Sequence, residues 1–258
     1  MRVLILFLFF SITARSQSYL DYYFKSKGIE GAIVLYNQNT GEWIFNSESE
    51  AFTNTPAAAH FHLWQTLVGL QEKVFTTDEK ELMQWDGVKR SFFEERRPDW
   101  NRDMNLSDAL ASHNDWYFAR LKILLNEDSY HKNIENASFL KDVKNNKVEY
   151  FWNFSGLTNP NTMIFFLKDL YEKKLPFSEN AQQFLISRLS VDKNLILHTS
   201  STSYLGKKID WTIGIYLNQD KPVYFSFRTK HSLEEEKTAD FDRKRNLILA
   251  EIFEVLHL

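Results

Sequence analysis

At 258 residues with 43% hydrophobic side chains, the chain can fill a sizeable core, and its lack of cysteine excludes disulfides, a thiol nucleophile and a lipid anchor on cysteine. The net charge of −3 provides no basic surplus for a phosphate backbone, so nucleic acid is not an expected partner. Gly and Pro number only 8 and 5, too few for a low-complexity linker.

The N-terminal stretch "MRVLILFLFFSITARS" has an early Arg, an apolar run from Val3 to Phe10, and small residues at Ala14 and Ser16. This is the layout of a secretory signal peptide, expected to span 1–16 and to leave one domain over 17–258. The run falls short of the roughly 20 apolar residues that a spanning helix needs, and no later segment reaches that length, so no membrane span is expected after cleavage. Losing Arg2 and Arg15 leaves 29 basic against 34 acidic residues, a net of −5.

"SYLDYYFKS" from Ser18 has the spacing of a short amphipathic helix, interrupted by Gly28 and Gly31. "GAIVLYN" and "EWIFN" then flank "QNTG", which predicts a hairpin with Asn39 and Gly41 supplying the positive φ of the turn. Thr55-Pro56 sits just ahead of a helix start, and in "AAAHFHLWQTLVGLQEK" the helical period predicts apolar groups on one side at Phe61, Trp64 or Gln65, Val68 and Leu70.

"LSDALASHNDWYFARLKILL" reads as one helix opened by Ser107, and "NTMIFFLKDLYEKKLP" as another stopped by Pro176. A polar tract from Asn126 to Lys147 separates them. Three β-rich runs follow, "NLILHTS", "IDWTIGIYL" and "PVYFSFRT", with "GKK" at a turn, and the acidic run Glu234–Glu236 leads into a last helix from Phe241 to Leu258. Strands at both ends of the chain with helices between them predict an α/β (α+β) fold: a central antiparallel sheet of N- and C-terminal strands, flanked by helices and a helical subdomain.

Several of these segments together resemble the class D, oxacillinase-type, serine β-lactamases and the related penicillin-recognising transpeptidase and sensor domains. The resemblance rests on "GAIVLYNQNTGEWIFN", the frame of "TPAAAHFHLW", "QWDGVKRSFFEERRPDWNRDMNLSDAL", "FFLKDLYEKKLPFS" and "DWTIGIYLNQDKPVYFSF". It implies the penicillin-recognising fold. Trp85, Asp86, Gly87, Trp100 and Asp103 are expected to pack and cap rather than react.

Such enzymes resemble one another in a Ser-x-x-Lys at a helix start, a Ser-x-Val element and a Lys-Thr-Gly strand facing one cleft. Residues three apart on a helix share a face, so the Lys, or the carbamate it forms in class D, can take the proton of the nucleophilic hydroxyl. Aligned with Pro-Ala-Ser-Thr-Phe-Lys, this chain reads Ala57, Ala58, Ala59, His60, Phe61, His62. The nucleophile position holds Ala59 and the lysine position His62. A register one residue earlier gives Ala58 and Phe61 and restores nothing.

The second element falls on His113, Asn114 and Asp115, or starts at Ser112 if shifted by one. The third falls on Ser200, Ser201 and Thr202, without the cation that holds a substrate carboxylate. The polar tract also lacks Tyr-Gly-Asn.

The expected protein is therefore exported, periplasmic or secreted, and unable to acylate with a β-lactam. Its remodelled cleft, at Ala59, His62, His113, Asp115, Ser200, Ser201 and Thr202, is expected to bind a peptidoglycan fragment, a peptide or a protein partner, with no cofactor and no metal. Three alternatives stay open. One is hydrolysis through a relocated serine, Ser112, Ser200 or Ser201, beside His62 or His113. The second is a metal held by His62 and His113 with His60 nearby, disfavoured because His60 and His62 are two apart rather than four. The third is a ligand groove lined by Trp64, Phe151, Trp152 and Phe154, residue types that more often belong to a core.

Overall fold

The computed structural model describes residues 19–92, 95–126, 128–129, 132–133, 156–219, 221–232 and 239–258. The expected leader 1–16, the polar tract beyond residue 133, the aromatics Phe151, Trp152 and Phe154, and the run Glu234–Glu236 lie outside them. Contacts group the chain into two compact units, the first comprising 1–57, 157–168 and 190–258, the second 58–156 and 169–189.

In the first unit, helix α1 spans 19–27 and leads into strand β1 (Glu30–Asn37) and strand β2 (Glu42–Phe45). The β1–β2 hairpin is the predicted one, but only Gly41 takes the positive φ (71°); Asn39 does not. There Asn37 Oδ1 accepts from the Asn39 and Thr40 backbone N–H groups and shapes the turn without a second left-handed residue. A short helix α2 (Glu48–Phe52) follows, capped by Ser47, and then strand β3 (Thr55–Pro56). Thr55 and Pro56 thus pair with a strand instead of leading directly into a helix; their partners are Thr158 and Leu157.

The second unit opens with helix α3 (His60–Gln71). The expectation of a one-sided helix is overturned, since every residue from His60 to Gly69 is buried. An all-round buried helix belongs to a core and carries no polar face to read. Next come the small hairpin of strands β4 (Ser91–Phe92) and β5 (Glu95–Arg96) and a turn of 3-10 helix at Pro98–Trp100.

The long helix expected from Leu106 is two helices, α4 (Leu106–Ala111) and α5 (Asp115–Leu124). Asn105, not Ser107, caps α4 by accepting from Asp108 N–H at 2.8 Å, and Asn114 caps α5 by accepting from Tyr117 N–H at 3.1 Å. Between them His113 takes φ +54°, while His113 N–H donates to Leu110 C=O and Asn114 N–H to Ala109 C=O. This pair of bonds closes a Schellman motif, which ends a helix by turning its last carbonyls inward.

Strand β6 (Leu157–Thr158) and helix α6 (Pro160–Tyr171) follow, then helix α7 (Glu179–Leu189), which the pattern reading did not anticipate. α6 ends before Pro176 because Lys173 takes φ +57° and the N–H groups of Lys173 and Lys174 donate to Leu170 and Asp169 C=O.

Strands β7 (Leu195–Tyr204), β8 (Lys207–Asn218) and β9 (Lys221–Ser232) complete an antiparallel sheet of order β2-β1-β9-β8-β7. N-terminal and C-terminal strands pair as expected, with Ile33 opposite Phe227. The β7–β8 turn is Leu205-Gly206, at φ 51° and 75°; Lys207 and Lys208 already belong to β8. Two successive positive φ values give the twist that a tight hairpin needs.

The last helix, α8, runs Ala239–Val255, starting two residues earlier and ending three residues sooner than predicted. With α1 it covers one sheet face through Leu20, Phe24, Ile33, Leu35, Phe225, Phe227, Ile248 and Ile252. Burying such a continuous apolar layer is the main force holding the sheet and the two terminal helices together.

Candidate functional site

Ala59 is the N-cap residue of α3 and offers no side-chain hydrogen bond to it; its methyl stands where the resemblance places a nucleophilic oxygen. Ala58, just before it, takes φ +52° although it carries a Cβ. The helix begins with Phe61 N–H donating to Ala58 C=O and His62 N–H to Ala59 C=O. The turn is thus tightly formed even without a capping side chain.

One turn further on, His62 is buried at 1% exposure, stacked on Phe118 of α5 with ring centroids 4.2 Å apart and planes 13° apart. Its Nε2 lies 3.2 Å from Oδ1 of Asp115, the first residue of α5. Two of the expected positions, 53 residues apart in sequence, therefore meet as an imidazole–carboxylate pair. Asp115 also suits its place in the first turn of a helix, where a negative charge meets the positive end of the dipole.

His113 belongs to the same cluster. Burial pushes its imidazole down to about 4, with the neighbouring His62 and Arg97 adding to the shift and Asp115 opposing it. His60, fully buried, is held well below the ordinary histidine range, first by burial and then by His113 and His62. His60 and His113 are thus groups biased toward the neutral form by their burial. His62 and His113 both belong to the second unit. Among the described residues no set of three His, Cys, Asp or Glu side chains is arranged to hold a metal ion.

The alternative serine of the second element, Ser112, is the C-cap of α4 and donates its hydroxyl to Asp108 C=O at 2.8 Å. Its own carbonyl accepts from Trp100 Nε1 at 2.8 Å and from Arg97 Nη2 at 2.9 Å. Trp85 N–H donates to Asp103 Oδ1, Asp86 binds Arg90 through both carboxylate oxygens, and Gly87 takes φ 79°. Trp64 is fully buried, edge-on to Phe177 at 4.8 Å, and belongs to the core rather than to an open groove.

The third element lies in the first unit on β7. Ser200 is opposite Trp211 and Ser201 opposite Asp210. Alternation along the strand puts Ser200 and Thr202 on one face and Ser201 on the other. Ser200 is buried, and its Oγ has no hydrogen-bond partner among the described residues. Ser201 donates to Asp210 Oδ1 at 2.5 Å, and His231 Nδ1 lies 3.5 Å from Asp210 Oδ2. This constellation was not anticipated from sequence, because its members come from three different strands. The carboxylate, not the imidazole, holds the hydroxyl, whereas a serine nucleophile needs the imidazole next to it. On the same sheet face Arg245 of α8 donates to Thr212.

The expected positions thus fall into two groups: Ala59, His62, His113 and Asp115 in the second unit, and Ser200, Ser201 and Thr202 in the first.

No protein-family model matches the chain. By sequence it is similar to the probable β-lactamase YbxI of Bacillus subtilis, at 25% identity over 86% of this chain and 83% of that protein. It is also similar to β-lactamase OXA-48 of Klebsiella pneumoniae, at 26% identity over 76% of this chain and 73% of that protein. A third relative is the regulatory protein BlaR1 of Bacillus licheniformis, at 21% identity over 81% of this chain, which spans 35% of that longer protein. Among solved structures, the class D β-lactamase of Sebaldella termitidis superimposes with a TM-score of 0.78 at 24% identity, covering 92% of this chain and 95% of that one. The class D enzyme from Nostoc gives 0.78 at 21% identity, covering 93% and 98%. The chain therefore has the class D β-lactamase fold, an antiparallel sheet flanked by helices, and the resemblance read from the sequence holds at that level.

Proposed function

We propose that this is an exported protein of class D β-lactamase fold that does not form an acyl-enzyme and instead binds a ligand without covalent chemistry: a peptidoglycan fragment, a peptide or a protein partner. The observation that carries this reading is the start of α3. Ala59 has no atom able to attack a carbonyl, and His62, which cannot carry a carbamate, is buried beside Asp115 and stacked on Phe118. Export is supported by the leader-like residues 1–16 and by the β-lactamase names of the relatives. No helix among the described residues is long and apolar enough to cross a membrane.

Intact-protein mass spectrometry after incubation with a penicillin tests the central point. No mass increase is expected for the wild type. Any covalent adduct, or turnover of a chromogenic cephalosporin by the pure protein, would sink the reading. Ala59→Ser puts a hydroxyl one helical turn before an imidazole already paired with a carboxylate, and a slow adduct is expected from that variant alone.

A second reading, an active β-lactamase or peptidase using a relocated serine, draws on the names of the relatives and on the Ser201–Asp210–His231 constellation. The order of contacts there counts against it, since a carboxylate is a poor base for a serine proton. If the wild type did turn over substrate, loss of that activity in Ser200→Ala or Ser201→Ala would identify the nucleophile.

A further inference from the structure

A polar cavity of about 370 Å³ lies within the first unit, where the end of α1, the start of β1, the paired ends of β8 and β9, and the first turns of α8 meet. None of the seven positions discussed above lines it. Lys27, Lys207, Lys230 and Lys244 reach it from four different elements, against two acids, Glu30 and Asp240. In a chain of net charge −3, the lining of this concavity thus carries more lysines than acids, with Glu50 and Glu251 answering Lys230 and Lys27 from outside the lining.

We propose that this cavity binds a small phosphorylated ligand. The arrangement around Glu30 shows the kind of group it fits. Lys207 Nζ lies 2.5 Å from one oxygen of that carboxylate and Lys230 Nζ 3.6 Å from the other. The two lysines hold Glu30 below the usual carboxylate range, Lys207 contributing most. Glu30 is half exposed and so can be displaced, whereas Lys230 is 10% exposed and is also held by Glu50 at 2.6 Å. A cation with so little water around it attracts an anion more strongly than a surface lysine does.

The other two lysines are paired at the rim, Lys27 with Glu251 at 2.5 Å and Lys244 with Asp240 at 2.7 Å. Glu30 is thus a resident occupant, and an anion that replaces it must carry more charge than a carboxylate. A phosphate group does, and lysine binds it as a point charge. The first residues of the 17-residue helix α8 also line the cavity, adding the positive end of a helix dipole. The volume suits a small molecule, while the walls offer little apolar surface beyond Ile29 and Phe241, the latter packed on His231 at 3.7 Å.

Calorimetric titration of the purified protein with inorganic pyrophosphate at low ionic strength, against a chloride control of equal ionic strength, tests the proposal. Binding in the millimolar range or tighter is expected, weakening as salt is added. Lys207→Ala combined with Lys244→Ala should weaken it about tenfold. Glu30→Gln should tighten it about fivefold, because the internal competitor is neutralised. A purely structural ion network predicts the opposite for Glu30→Gln: a lower melting temperature and no gain in affinity. Absence of heat up to on the order of 10 mM pyrophosphate, equal affinity in the double lysine variant, or weaker binding in Glu30→Gln would each overturn the proposal. Should the lysine variant fail to fold, Glu30→Gln still decides.

Discussion

The start of α3 and the outer part of β7 both hold positions that the class D resemblance assigns to chemistry, and their polar groups have been settled in opposite ways. At α3 the imidazole of His62 is buried, stacked on Phe118 and placed beside Asp115. At β7 Ser200 is just as buried, yet its hydroxyl has no partner among the described residues. The first region is a packed interior in which the imidazole meets a ring and a carboxylate. The second holds a buried hydroxyl without such a contact. Removing the two polar groups should therefore leave different energetic marks.

If that contrast is right, His62→Ala should have the largest effect. It removes a buried, stacked ring and leaves a cavity, and a loss of about 3 kcal/mol is expected in urea unfolding. A loss near zero would mean that the α3 region is no better packed than β7.

Acid should act almost as strongly and on the same region. His113 is lowered from 6.5 to about 4 and His60 is lowered as well, so the unfolded chain binds protons more readily than the folded one. Stability is then complete above about pH 6.5 and falls as the pH drops toward about 4, by up to roughly 3 kcal/mol for His113 alone. Unfolding curves at a series of pH values check the slope. His113→Asn should flatten it, because Asn tolerates the left-handed conformation at that position and does not titrate.

A smaller effect, about 1 kcal/mol, is expected for Trp100→Phe, which removes the indole donor to Ser112 C=O while Arg97 still serves that carbonyl. The smallest belongs to β7. Ser200→Ala should leave stability unchanged or raise it by up to about 1 kcal/mol, since it deletes a buried hydroxyl without a partner. A marked loss there would show that the hydroxyl does hold something and would erase the contrast.

The sheet was legible in the sequence because its strands are β-rich runs joined by turns such as Gly41 and Leu205-Gly206. Helix ends were much less so. Five of the described helices, α1, α3, α4, α6 and α8, finish in the same pair of backbone bonds, but only α1 puts a glycine, Gly28, at the left-handed position. Lys73, His113, Lys173 and His257 fill it in the others. A reader looking for Gly therefore runs α4 into α5 and carries α6 on to Pro176. The meeting of His62 with Asp115 was hidden for a related reason. The class D resemblance named both positions, but only the break at His113 starts a new helix, α5, with Asp115 in its first turn. Ser201, Asp210 and His231 come together through strand pairing, which no local pattern in the sequence records.

The conformation of Ala58 has a consequence of its own. A residue with a Cβ at φ +52° costs on the order of 1 kcal/mol relative to an ordinary backbone, and such strain is usually kept where it aims a reactive group. Here the next side chain is the methyl of Ala59. Ala58→Gly should relax the bend without lowering stability in urea unfolding, which would mark the tension as serving nothing in the folded chain.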